Sequence, residues 1–111
     1  MLHTYLGSSK GEVVRVVRAP LKRYLSSSVE LWKRNDPSLS QLLERRGGME
    51  FAFRRYFESS GFFGDQESCA QRVEQLRKIG VDEIACLIDF GLSTSEIRST
   101  IERIAELGST L

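Results

Sequence analysis

Cysteine is scarce in this chain, with two residues in 111, Cys69 and Cys86. They have neither metal-site spacing nor the density of a disulfide-stapled secreted domain, so both are expected as reduced thiols in the interior. A surplus of charge is missing as well. Sixteen basic residues face fifteen acidic ones, for a formal net charge of +1. Neither nucleic acid nor an anionic membrane surface is therefore expected as a partner. The one local cluster, Arg54-Arg55, is short and has Glu50 and Glu58 within a helical turn, so it reads as a solvated helix face. No apolar run approaches the roughly 20 residues of a membrane span, and no basic start leads into an apolar leader; a cytoplasmic protein is expected. Repeats and low-complexity tracts are absent. With 41% apolar and 28% charged residues, the composition is that of one globular domain over residues 1–111, too apolar for disorder.

The richest stretch is Val81 to Gly91, VDEIACLIDFG. It is apolar, rich in branched residues and bounded by Gly80 and Gly91. Ser93-Thr94-Ser95-Glu96 after it has the form of a capping box. A run of this kind between two helices predicts a buried parallel strand. Alternation sends Ile84, Cys86 and Ile88 one way and Ala85, Leu87 and Asp89 the other. A carboxylate at the C-terminal end of such a strand stands where parallel α/β folds place their chemistry.

Met1 to Leu6 predicts a first short strand, with Leu2, Thr4 and Leu6 on one face and His3 and Tyr5 on the other. After a Gly7-Ser8-Ser9 turn, Val13, Val17, Leu21, Leu25, Val29 and Trp32 recur at helical spacing, which predicts a long helix over 10–34. Pro20 should kink or divide it. A short helix is expected over 38–46, a hinge at Gly47-Gly48, and an aromatic-rich helix over 49–59. Its Phe51, Phe53, Tyr56 and Phe57 read as core, because no basic track runs beside them as a single-strand binder would need. Phe62-Phe63 is a short apolar island between glycines, either loop or very short strand. Asp65 is the expected cap of a helix over 66–79, packing through Cys69, Val73, Leu76 and Ile79 and stopped by Gly80. A last helix over 94–107 carries Ile97, Ile101, Ile104 and Ala105 and ends at Gly108.

Strands alternating with helices predict an α/β fold with right-handed crossovers, mostly helical around a small parallel sheet. Three short strands make a poor sheet with two open edges. The chain therefore reads as part of a larger α/β structure.

Four segments carry a family resemblance: Ala52 to Phe57, Ser60 to Gly64, Cys69 to Val73, and above all Gly80 to Gly91. Together with the upstream strand and long helix, they resemble the C-terminal part of the luciferase-like, flavin-dependent monooxygenases, in the branch found with nonribosomal peptide and polyketide synthesis genes. Gln66 stands where that family commonly has Pro at the first helical turn, a small departure. The resemblance implies that the chain is a C-terminal fragment, about three βα units, of a (β/α)8 barrel.

It further implies reduced FMN as cofactor of the complete enzyme, and an organic substrate, possibly tethered to a carrier protein. His3 becomes the implied catalytic residue, donating a proton or hydrogen bond beside the reacting flavin. Tyr5, Asp89 and Phe90 become flavin- or substrate-proximal, with His3, Tyr5 and Asp89 facing the barrel interior. The residues that grip the flavin phosphate would lie in upstream units. The isolated chain is expected to be inactive and to bind no cofactor, since a water-excluding cavity needs the closed barrel. Its expected partner is the missing N-terminal portion of the barrel, or a second copy. The alternative function is a non-catalytic helical assembly module, docking through the aromatic side of 51–57 and the stripe from Val13 to Trp32.

Overall fold

The computed structural model describes residues 1–35, 38, 41 and 44–111, without the side chains of 29–33. The described residues form β1 (Leu2–Leu6), α1 (Lys10–Lys33), α2 (Gly48–Ser59), β2 (Phe62–Gly64), α3 (Gln66–Lys78), β3 (Cys86–Leu87) and α4 (Thr94–Thr110). The short helix expected over 38–46 lies largely outside the described residues, as do the side chains of Val29 and Trp32. None of the described helices is long and apolar enough to cross a membrane.

The fold is α/β, mostly helical, with one small sheet whose pairings are all parallel. Its strand order is β2-β1-β3. Thr4, Tyr5 and Leu6 pair with Phe62, Phe63 and Gly64, and Leu2 and His3 pair with Cys86 and Leu87. This order differs from what consecutive barrel units would produce, where each strand lies beside the next in sequence and β2 would be central. Here β1, the longest and best buried strand, takes the middle, and β3 reaches its far side. Only two residues of the long run 81–91 enter the sheet. Asp82 and Glu83 stay exposed, and among the described residues no second strand flanks β3 to pair the rest.

Both faces of β1 are covered, by different helices. His3 and Tyr5 meet α1 and α2, and the core there contains Val13, Val17, Leu21, Leu25, Phe53, Phe57 and Leu92. Leu2 and Leu6 meet α3 and α4 through Phe62, Cys69, Val73, Ile104 and Leu107. The face expected to line a barrel interior is thus packed against helices of this same chain.

Several local expectations hold. Asp65 accepts from the Ser68 N–H at 2.9 Å and caps α3. Ser93 and Glu96 close a capping box at the start of α4. Gly80, with φ of 92°, provides the left-handed stop after α3 that a Cβ would strain. Others are overturned. Pro20 does not divide the long helix, which runs as one element through it. The buried Pro20 ring lies under the turn at Gly91, where a Cβ would approach it to 3.3 Å. The last helix runs through Gly108 to Thr110, because one exposed glycine costs a helix only about 1 kcal/mol.

The inner stripe of α4 is Ile97, Thr100, Ile104 and Leu107, not one built on Ile101, which is 48% exposed. Thr100 belongs there for a polar reason. Its hydroxyl accepts the Leu6 N–H at 2.8 Å, so it satisfies a ladder donor that the two-residue β3 is too short to reach. Ile79, expected to pack, is 76% exposed, since α3 has already ended at Lys78.

Candidate functional site around His3

β1 carries His3 into the interior on its α1/α2 face, where it is 5% exposed. Three rings surround it. Tyr24 from α1 lies 4.3 Å away by centroids, Phe90 from the segment after β3 lies 5.3 Å away edge-on, and Tyr56 from α2 lies 5.6 Å away edge-on. The Tyr56 hydroxyl is 2.6 Å from His3 Nδ1. Nε2 is buried without a partner among the described residues. The Tyr56 hydroxyl either donates to Nδ1, which puts the imidazole proton on Nε2, or accepts the Nδ1 proton, which leaves Nε2 with a lone pair. Burial lowers the His3 pKa from its ordinary 6.5 and raises that of Tyr56. The pair is therefore a neutral imidazole bonded to a neutral phenol, able to pass a hydrogen bond but walled off by aromatic rings.

The four expected site residues separate into two groups. His3 and Phe90 come together in ring contact. Tyr5 is buried at 2% exposure in the same core; its pKa is raised first by that burial, then by Glu12 and Glu96. It packs there. Asp89 is exposed and takes no place in the interior, because β3 ends at Leu87 and the backbone has left strand alternation by that point. Phe90 also packs on Phe63, itself stacked on Phe57 at 5.1 Å, so it closes the site as part of an aromatic layer.

Sequence reasoning missed two partners of His3. Tyr56 read as core, and Tyr24 was off the apolar stripe. Its position three residues after Leu21 was the available signal, since i and i+3 share a helix face. A second missed feature is the clamp between α1 and α2. Glu50 takes Arg18 and Lys22 as well as the Arg54 expected from helical spacing. Hydrogen bonds from Lys22 and then Arg18 hold its carboxyl at about 2. The same two cations lie over the Phe53 ring, at 5.0 and 5.9 Å from its centroid. Both cysteines are free, Cys69 buried and Cys86 half-buried. Burial, with smaller contributions from Asp65 and Cys86, pushes the Cys69 thiol up to about 12, which leaves it without nucleophilic thiolate at neutral pH. Among the described residues no group of three or more potential ligands is placed to hold a metal ion.

A flavin does not fit this site. The space over His3 is occupied by Tyr24, Tyr56 and Phe90. Two cavities, of about 240 and 220 Å³, lie elsewhere, beside β2 and beside the end of α3. Neither a scan of protein-family models nor a search of curated proteins finds a match to the chain.

The buried imidazole makes stability depend on pH with a definite sign. In the unfolded chain His3 takes a proton as pH falls through 6.5, whereas the folded ring resists it. Its contribution is complete above that pH and is lost as pH falls toward the lowered folded value. Urea midpoints are expected to drop between pH 7.5 and 5.5 and to drop less in His3→Phe. The Glu50 clamp acts in the same direction only below about 4.5, its ordinary value. An identical slope in wild type and variant would show that His3 is not held neutral.

Proposed function

We propose that this chain is the closing part of a luciferase-like, FMN-dependent monooxygenase whose substrate is an organic molecule, possibly presented on a carrier protein, and that by itself it carries no activity. The observation that carries this reading is the specific run Gly80 to Gly91, following the Ser60 to Gly64 segment, in a chain whose strands all pair in parallel. Bound flavin would supply the oxygen chemistry. This chain's contribution would be His3 on β1, once the Tyr24, Tyr56 and Phe90 rings that fill the space over it here give way.

Two observations limit what the chain does alone. The face bearing His3 is filled by α1 and α2, and β1 stands between β2 and β3. In a complete barrel β2 would lie between its sequence neighbours and the His3 face would open, so the missing strands must displace contacts that the isolated chain makes with itself. Translation of the genomic DNA upstream of Met1 in the same frame tests the reading. Continuation into further βα units is the expected result, and a stop codon close by would overturn it. Purified 111-residue chain is expected to show no saturable quenching of FMN fluorescence; stoichiometric binding would refute its dependence on absent units.

The alternative, a helical assembly module, keeps less support. The surface expected to mediate it is spent in the chain's own core: Val13, Val17, Leu21, Leu25, Phe53 and Phe57 are all buried. Of the aromatic side only Phe51 remains open, at 66% exposure.

A further inference from the structure

The outer edge of β2 is an open sheet edge with a groove along it. Gly64 accepts from the Gly7 N–H at 3.0 Å, which turns the backbone groups of Gly64 and Phe62 toward β1. By strand alternation the N–H and C=O of Phe63 face the other way, into the groove. The cavity of about 240 Å³ lies there, between Phe57 and Glu58 of α2 and Cys69 and Arg72 of α3, with Lys10 at its margin. Arg72 reaches across to α2, donating from Nη2 to the Ser59 carbonyl at 2.7 Å. Its Nε is buried and has no partner among the described residues. The groove thus presents a free pair of ladder groups, and its lining sets two cations, Lys10 and Arg72, against one carboxylate, Glu58.

The chain contains a segment of matching chemistry. Val81 to Asp89 is its strongest strand-former, yet only Cys86 and Leu87 stand in the ladder, with the Ala85 carbonyl taking the Leu2 N–H and the Val81 N–H held by Leu76. Asp82 and Glu83 in this segment are exposed, and their carboxylates complement Arg72 and Lys10. Pairing of two β2 edges directly would instead bring Arg72 toward its own copy, like charge against like. We propose that the open edge of β2 receives the Val81 to Asp89 segment of a second copy as an added strand. Phe63 provides the ladder bonds, and the Asp82-Glu83 pair provides carboxylates for the Lys10 and Arg72 cations of the groove. The proposal concerns the chain as folded here, with β2 at the sheet edge; it does not rest on the flavin reading, and in a complete barrel that edge would be closed.

The test uses the full chain and a labelled synthetic peptide of residues 81–89, kept reduced, in fluorescence anisotropy, with light scattering of the chain alone. Saturable peptide binding and a concentration-dependent dimer are expected. Methylating alternate peptide nitrogens, on the register that faces β2, should abolish binding. Arg72→Glu should weaken binding at least tenfold, and a peptide with Asp82→Lys and Glu83→Lys should regain it on that variant. Arg72→Gln serves the same comparison if Arg72→Glu fails to fold. A chain monomeric at every concentration that ignores the peptide overturns the proposal. So does peptide binding that is indifferent to both methylation and charge reversal.

Discussion

Phe53→Ala is expected to destabilise the chain by about 3–5 kcal/mol, the range for deleting a buried aromatic side chain. Phe53 is 2% exposed in the cluster that covers the His3 face. It lies 5.7 Å from Phe57 and beneath the Arg18 and Lys22 cations, so truncation leaves a cavity and also removes what those cations lie on. Domains of this size commonly have about 5–15 kcal/mol of stability in all, so the variant should be unfolded in part under native conditions or melt at much lower urea. Equilibrium urea denaturation followed by circular dichroism measures it. A cost below about 1 kcal/mol would mean that α2 does not cover β1 in solution, and that the His3 face stands ready for strands from outside the chain.

Leu6→Ala tests the opposite layer. Leu6 is fully buried against Phe62, Cys69 and Leu107, and the expected cost is about 2–5 kcal/mol. Leu6 and Phe53 belong to separate clusters on opposite faces of the sheet. Their effects should therefore add to within about 0.5 kcal/mol, as independent sites do. That sum is measurable as urea midpoints if each single variant is first assayed in a stabilising osmolyte. Strong non-additivity would contradict a core divided by the sheet.

Much of the secondary structure was legible because its signals are local. Asp65 and Ser93 sit where helices need an N-terminal acceptor, and Gly80 where one needs a left-handed stop. The stripe from Val13 to Leu25 repeats at helical spacing, and each of its described members is buried. The candidate site was legible only in its centre. His3 stood out as the single histidine on a strand, and Phe90 by its place after an apolar run. Tyr56 and Tyr24 reach His3 from helices 53 and 21 residues further along the chain, and no periodicity in either helix names the strand residue it will meet. Asp89 lies outside the interior for a related reason. Its inward direction assumed that the whole run 81–91 would be strand, yet a strand extends only as far as a neighbour pairs with it.

The sequence by itself determined the alternation of strands and helices, the parallel sense that such alternation requires, and the caps that delimit α3 and α4, all through interactions spanning a few residues. Only the tertiary structure decided that β1 is central, that β3 lies beside it instead of beside β2, and that α1 and α2 close over His3. Those outcomes depend on which apolar faces compete for one strand. With three short strands, the most buried position goes to the strand able to cover both of its faces, whatever the order of the segments along the chain.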